Sequence, residues 1–117
     1  MNSRALTIAT VVGLILQVAM VVIGHSNQTV KGLFAVGGMG FSLVAGVIYG
    51  VVAGGGTFGA LALGGALAGG ICAFVGILVS HLLGDVPPTL LLLGTFSSVI
   101  TGAIGGAISK FFVRGGV

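Results

Sequence analysis

The chain has 117 residues, and only five carry a formal charge: four Lys or Arg and one acid. With a mean hydropathy of +1.32, it cannot present the charged surface that keeps a water-soluble domain dispersed. The net charge of +3 is too small and too scattered to mark a nucleic-acid partner.

Four apolar stretches follow one another. The first runs from Leu6 to about Gly24 and ends at the polar cluster His25-Ser26-Asn27-Gln28-Thr29. The second runs from Gly32 to Ala53 and stops at Gly54-Gly55-Gly56. The third covers Thr57 to Leu83, and Gly84-Asp85-Val86-Pro87-Pro88 breaks it. The fourth covers Thr89 to about Val113. Each is near or above the roughly 20 residues a helix needs to cross a bilayer core. None shows the short alternating pattern of a membrane β-strand. The expectation is one all-α domain: an integral membrane four-helix bundle with no soluble module.

The first stretch can also be read as a secretory signal, with Met1–Arg4 as its charged start and cleavage after Val22-Ile23-Gly24, which leaves three spans. Its apolar run is longer than a signal core of roughly 7–15 residues, and this favours a span. With four spans both termini share a side. Arg4, Lys110 and Arg114 lie on that side, and Lys31 and Asp85 on the other. Positive charge stays cytoplasmic, so a cell inner or plasma membrane with both termini inside is expected.

Small residues recur every fourth position. The third span has Gly56, Ala60, Gly64, Ala68, Cys72, Gly76, Ser80 and Gly84. The second has Gly38, Ser42, Gly46, Gly50 and Gly54, the fourth Gly94, Ser98, Gly102 and Gly106, and the first Ala5, Ala9 and Gly13. Residues four apart share a helix face. Such faces let backbones approach closely, which is the attraction available between helices in hydrocarbon. Grooves on every helix suggest more small-residue surface than one bundle consumes, with the excess covered by another protein or by lipid.

A shift of 56 residues superimposes the second row on the fourth and His25 on His81, with nine identities between positions 13 and 50. The implied repeat is two helical hairpins of one orientation, related by a pseudo-two-fold axis along the membrane normal.

Little chemistry is visible. His25 and His81 are weak candidates for a cofactor or metal, with Asp85 one turn after His81 to orient its ring. Two histidines do not complete a metal shell, and rings that snorkel to the head groups are the simpler account. No cofactor is expected. Gln17 is the one strongly polar side chain well inside a span, suited to an interhelical hydrogen bond or a polar path. The lone Cys72 can form no internal disulfide and reads as a packing residue. Gly54-Gly55-Gly56-Thr57-Phe58-Gly59 matches G-x-G-x-x-G, but it joins two apolar helices and lacks the preceding strand, so it reads as a turn and a helix start. Asn27-Gln28-Thr29 is a glycosylation sequon in a loop too short for modification. No Ser, His and acid set is within reach for nucleophilic catalysis.

The length and span count resemble those of small multidrug transporters, and the glycine-rich helices resemble rotary ATPase proteolipids. Both families carry an acid within a span. This chain has none there, which excludes proton coupling by a buried carboxylate. Three functions remain: a structural or accessory subunit of a larger membrane complex, a small self-associating channel or facilitator for a neutral solute, and a histidine-based cofactor carrier. None is an enzyme. The partners are the bilayer, other membrane subunits or the chain itself.

Overall fold

The computed structural model describes residues 3–27, 29, 34–54, 56–84 and 86–111, with the side chains of 34–36 left aside. Four helices are present among them: α1 (Ser3–Ser26), α2 (Phe34–Ala53), α3 (Phe58–Leu82) and α4 (Pro88–Ser109). The four apolar stretches and these helices coincide to within a few residues where both are described. α1, α3 and α4 are long and apolar enough to cross a membrane, and the apolar part of α2, Gly37–Ala53, is shorter. Lys31, Asp85 and Arg114, used above for orientation, lie outside the described residues.

Local chemistry sets the helix ends. Gly54 (φ +80°) and Gly84 (φ +81°) take the left-handed conformation that stops α2 and α3, a position where a side chain is strained. Thr57 starts α3: its hydroxyl accepts the Ala60 N–H at 3.1 Å, one of the donors a helix start leaves unpaired. Pro88 opens α4, where its missing N–H costs nothing and its φ is already helical.

The helices form a rhombus 46 Å long and 21 Å across. α2 and α3 touch each other and both outer helices, while the backbones of α1 and α4 stay apart among the described residues. A two-fold relation exchanging α1 with α3 and α2 with α4 turns an α2–α3 contact into an α1–α4 contact. The packing therefore does not carry the full symmetry that the repeated glycines suggest.

At the end that holds the start of α1 and the α2–α3 turn, Ala5 and Ala9 pack with Tyr49, Leu61 and Ala68. Lys110 ties the end of α4 to the same turn. Its ammonium donates to the Gly56 carbonyl at 2.7 Å and sits 5.3 Å from the Phe58 ring centre. Phe58 in turn meets Phe111 with the rings tilted by 56° and their centroids 5.9 Å apart.

Candidate functional site

The glycine rows decide how the bundle closes. A Cβ at Gly46 on α2, or at Gly65 on α3, would run into the carbonyl oxygen of Gly102 on α4. A Cβ at Gly102 would run into that of Gly65, one at Gly105 into Leu43, and one at Gly106 into Leu61. At each place the Cα hydrogen faces a carbonyl instead, a weak contact worth about 0.5–1 kcal/mol. α2, α3 and α4 are thus held backbone to backbone. α1 is held by side chains: Gly13 faces Cys72 and Ala45, Gly37 receives Met20, and Gly76 receives Gln17.

Most of the small residues are used inside the chain. Ala5, Ala9 and Gly13 are buried, as are Ser42, Gly46 and Gly50, Gly64 to Ser80 of the α3 row, and Ser98, Gly102 and Gly106. Gly38 and Gly94 are half-buried, and only Gly54, Gly56, Ala60 and Gly84 at the row ends are exposed. The surplus of small-residue surface expected from sequence is absent among the described residues. What faces outward is large and apolar, such as Ile15, Leu63, Leu92 and Phe96.

Gln17 is buried, and its amide bonds across helices. Its Nε2 donates to the Gly38 carbonyl at 3.0 Å and to Ser42 Oγ at 3.3 Å. Ser42 Oγ lies 2.9 Å from the Gly38 carbonyl and 3.3 Å from that of Gly69, so one proton serves either oxygen. Cys72 donates to the same Gly69 carbonyl at 3.4 Å. This network joins α1, α2 and α3 at mid-height.

Above the network, toward the end of α1 and the start of α4, the helices part. Because the backbones of α1 and α4 stay apart, the two helices face each other across a cavity of about 140 Å³. Gln17, Met20 and Val21 line it from α1, and Leu90, Leu93, Gly94, Ser97 and Ser98 from α4. Gly38 and Met39 of α2, with Ala73, Ile77 and Ser80 of α3, complete the wall, and Val86 stands at the rim. The Gly46–Gly65–Gly102–Gly106 contact closes the bundle beneath. The lining is mainly apolar with a few hydroxyls and one amide, the usual make-up of a small-molecule site. The Ser80 side chain is 1% exposed, and its hydroxyl has no hydrogen-bond partner.

The histidines lie near this end. The His81 Nδ1 is 2.9 Å from the Val86 carbonyl; as the donor, it fixes the rim of the cavity to the end of α3. Asp85, the expected partner of His81, is outside the described residues. His25 is exposed at the end of α1. No group of three His, Cys, Asp or Glu suited to a metal comes together among the described residues.

Gln17, Gly38, Ser80, Gly94 and Ser98 stand out in the sequence, but the cavity around them does not. Met20, Leu90, Leu93 and Ser97 carry no spacing that sets them apart from other apolar and small positions. Only the gap between the α1 and α4 backbones reveals them. No family model, curated protein or solved structure matches the chain.

Proposed function

We propose that this chain is a non-catalytic integral membrane protein whose four helices bundle in the bilayer, with both termini cytoplasmic, and that the bundle receives a small neutral solute. One observation carries the reading: the mixed apolar and hydroxyl-lined cavity between α1 and α4, beside an otherwise close-packed core. A pure packing subunit has no use for such a space, since an empty volume forfeits the dispersion contacts of its lining. The closed glycine contact beneath it argues for a blind pocket in each chain over a continuous pore.

Cysteine labelling in native membranes tests this. With Cys72→Ala as background, Ser97→Cys is expected to react with a small uncharged thiol reagent, while Ala68→Cys in the core stays unreactive. If Ser97→Cys is inert while Val86→Cys at the rim is labelled, the cavity is sealed and the reading falls.

A second reading, the structural or accessory subunit, is favoured by a shallow groove on the outside of α3 and α4. Ala66, Gly70 and Val99 line it with Thr95, whose buried hydroxyl has no partner. Crosslinking from cysteines placed at Gly70 and Val99 in native membranes decides it: adducts to a distinct protein support it, and their absence removes it.

A further inference from the structure

The space between α1 and α4 is a groove with a direction, a length and an open side. What these imply rests on the reading of the bundle as a solute receiver in the bilayer, and it names the solute. On α4 the wall runs from Leu90 to Ser98, and on α3 from Ala73 to Ser80. At 1.5 Å per residue these walls are about 12 and 10 Å long. The hydrocarbon of one leaflet is about 15 Å deep, half of a core of about 30 Å. The groove starts at the helix ends, beside Val86. It stops at mid-height, where the Gln17 network and the glycine contact close the bundle. It therefore spans one leaflet and not two.

Leu93 and Met39 line the groove, yet they are 67% and 40% exposed. Its walls thus pass directly into the outer surface, whose large apolar side chains include Leu92 and Phe96. In a bilayer that surface meets lipid hydrocarbon, and the groove is continuous with it. The walls call for nothing polar. None of the described lining side chains is ionisable, and the Gln17 nitrogen already donates to Gly38 and Ser42. Serine in a helix can turn its hydroxyl to a carbonyl one turn back, as Ser42 does to Gly38, so Ser97 and Ser98 do not need a polar occupant. Met20 and Met39 bring unbranched, polarisable side chains that adapt to an irregular neighbour.

We infer that the groove takes one acyl chain of a phospholipid in the leaflet around it. The chain enters sideways between α1 and α4 and ends near Ser97, and its head group stays at the rim beside Val86. A helix of another protein is the poorer occupant. It crosses both leaflets, whereas the groove ends halfway, and helix contacts in membranes favour small residues, whereas Leu90, Leu93 and Met39 are among these walls.

The test uses the full chain in dioleoylphosphatidylcholine vesicles with trace phosphatidylcholine bearing a photoreactive diazirine on one chain. The diazirine sits either at the chain end or near the head group, and mass spectrometry maps the adducts. The chain-end probe is expected to label Ser97 and Met20 several-fold more than Ile15 and Ile100, which face outward at similar height. The near-head probe should label Val86 and Leu90 instead. Ser97→Phe fills the groove and removes the adducts at Met20 and Leu90. Gly40→Phe leaves them, since nothing lies within 4 Å of the Cβ direction there. Even labelling of groove and outward residues in the parent overturns the assignment, whether or not Ser97→Phe folds. So does groove labelling that survives in a folded Ser97→Phe protein. If labelling is even while Ser97→Cys still reacts with the uncharged thiol reagent, the lipid chain is wrong and the solute-receiving bundle stands. If Ser97→Cys is unreactive as well, both fall together.

Discussion

At the scale of single residues, glycines that look alike in sequence do different work. Gly46, Gly65 and Gly102 occupy positions where a Cβ meets backbone atoms of another helix, and backbone cannot rotate away as a side chain can. Gly102→Ala is therefore expected to lower the thermal midpoint of the purified bundle, with the cost of an overpacked core, about 1–3 kcal/mol. Gly40 and Gly59 have nothing within 4 Å of the Cβ direction. Gly40→Ala and Gly59→Ala should be neutral or stabilising, by up to about 1 kcal/mol, because alanine is the better helix former. Thermal unfolding followed by circular dichroism checks both halves. A Gly102→Ala protein as stable as the parent would remove the backbone contact from the account. Gln17→Met is expected to cost less than its burial suggests. Interhelical polar bonds within membranes average about 0.6 kcal/mol, and Ser42 still serves the Gly38 carbonyl when the amide is gone.

At the scale of helices, the four-residue rows were legible because close approach demands small side chains on one face, and that demand leaves a period in the sequence. The breaks were legible for a similar reason: Gly54, Gly84 and Pro88 are residue types that end or begin helices. The pairing was not. A row states that a helix has a close neighbour without saying which, so the row on α3 could not reveal that Gly64 receives the ring of Tyr49 while Gly76 receives Gln17. The cavity was less legible still, since it arises where two backbones stay apart. The repeat at offset 56 even points the other way, because a symmetric pair of hairpins would close α1 on α4. This difference in attachment gives a prediction. α1 is joined by side chains and α4 by backbone contacts, so α1 should open first. Amide hydrogen exchange read by mass spectrometry should show residues 12–24 of α1 exchanging faster than residues 98–108 of α4. Equal protection would mean that the side-chain contacts of Gly13, Gln17 and Met20 hold as firmly as the glycine contact.

At the scale of the whole molecule, the 46 Å length matches a bilayer of about 40–45 Å with its head groups. The two described cations, Arg4 and Lys110, belong to the start of α1 and the end of α4. The tie of Lys110 to Gly56 brings the end of α4 to the α2–α3 turn, where Ala5 and Ala9 of α1 also pack. Both charges therefore belong to one end of the rod, and the cavity lies toward the other. Positive charge remains cytoplasmic, so the proposed orientation turns the cavity toward the outer leaflet. A solute would then enter from the outside or from the outer half of the bilayer, through the seam where the backbones of α1 and α4 stay apart. Two measurements bear on this as a pair. A reporter fused after the last residue should be active only in the cytoplasm. Ser97→Cys on the Cys72→Ala background should be protected from the uncharged thiol reagent by a bulky charged blocker added first from outside to label Val86→Cys at the rim. A reporter active only outside would reverse the orientation and give the cavity to the cytoplasmic leaflet. Its solute would then have to come from within the cell or from the inner leaflet, although its polarity, set by the walls, would stay the same.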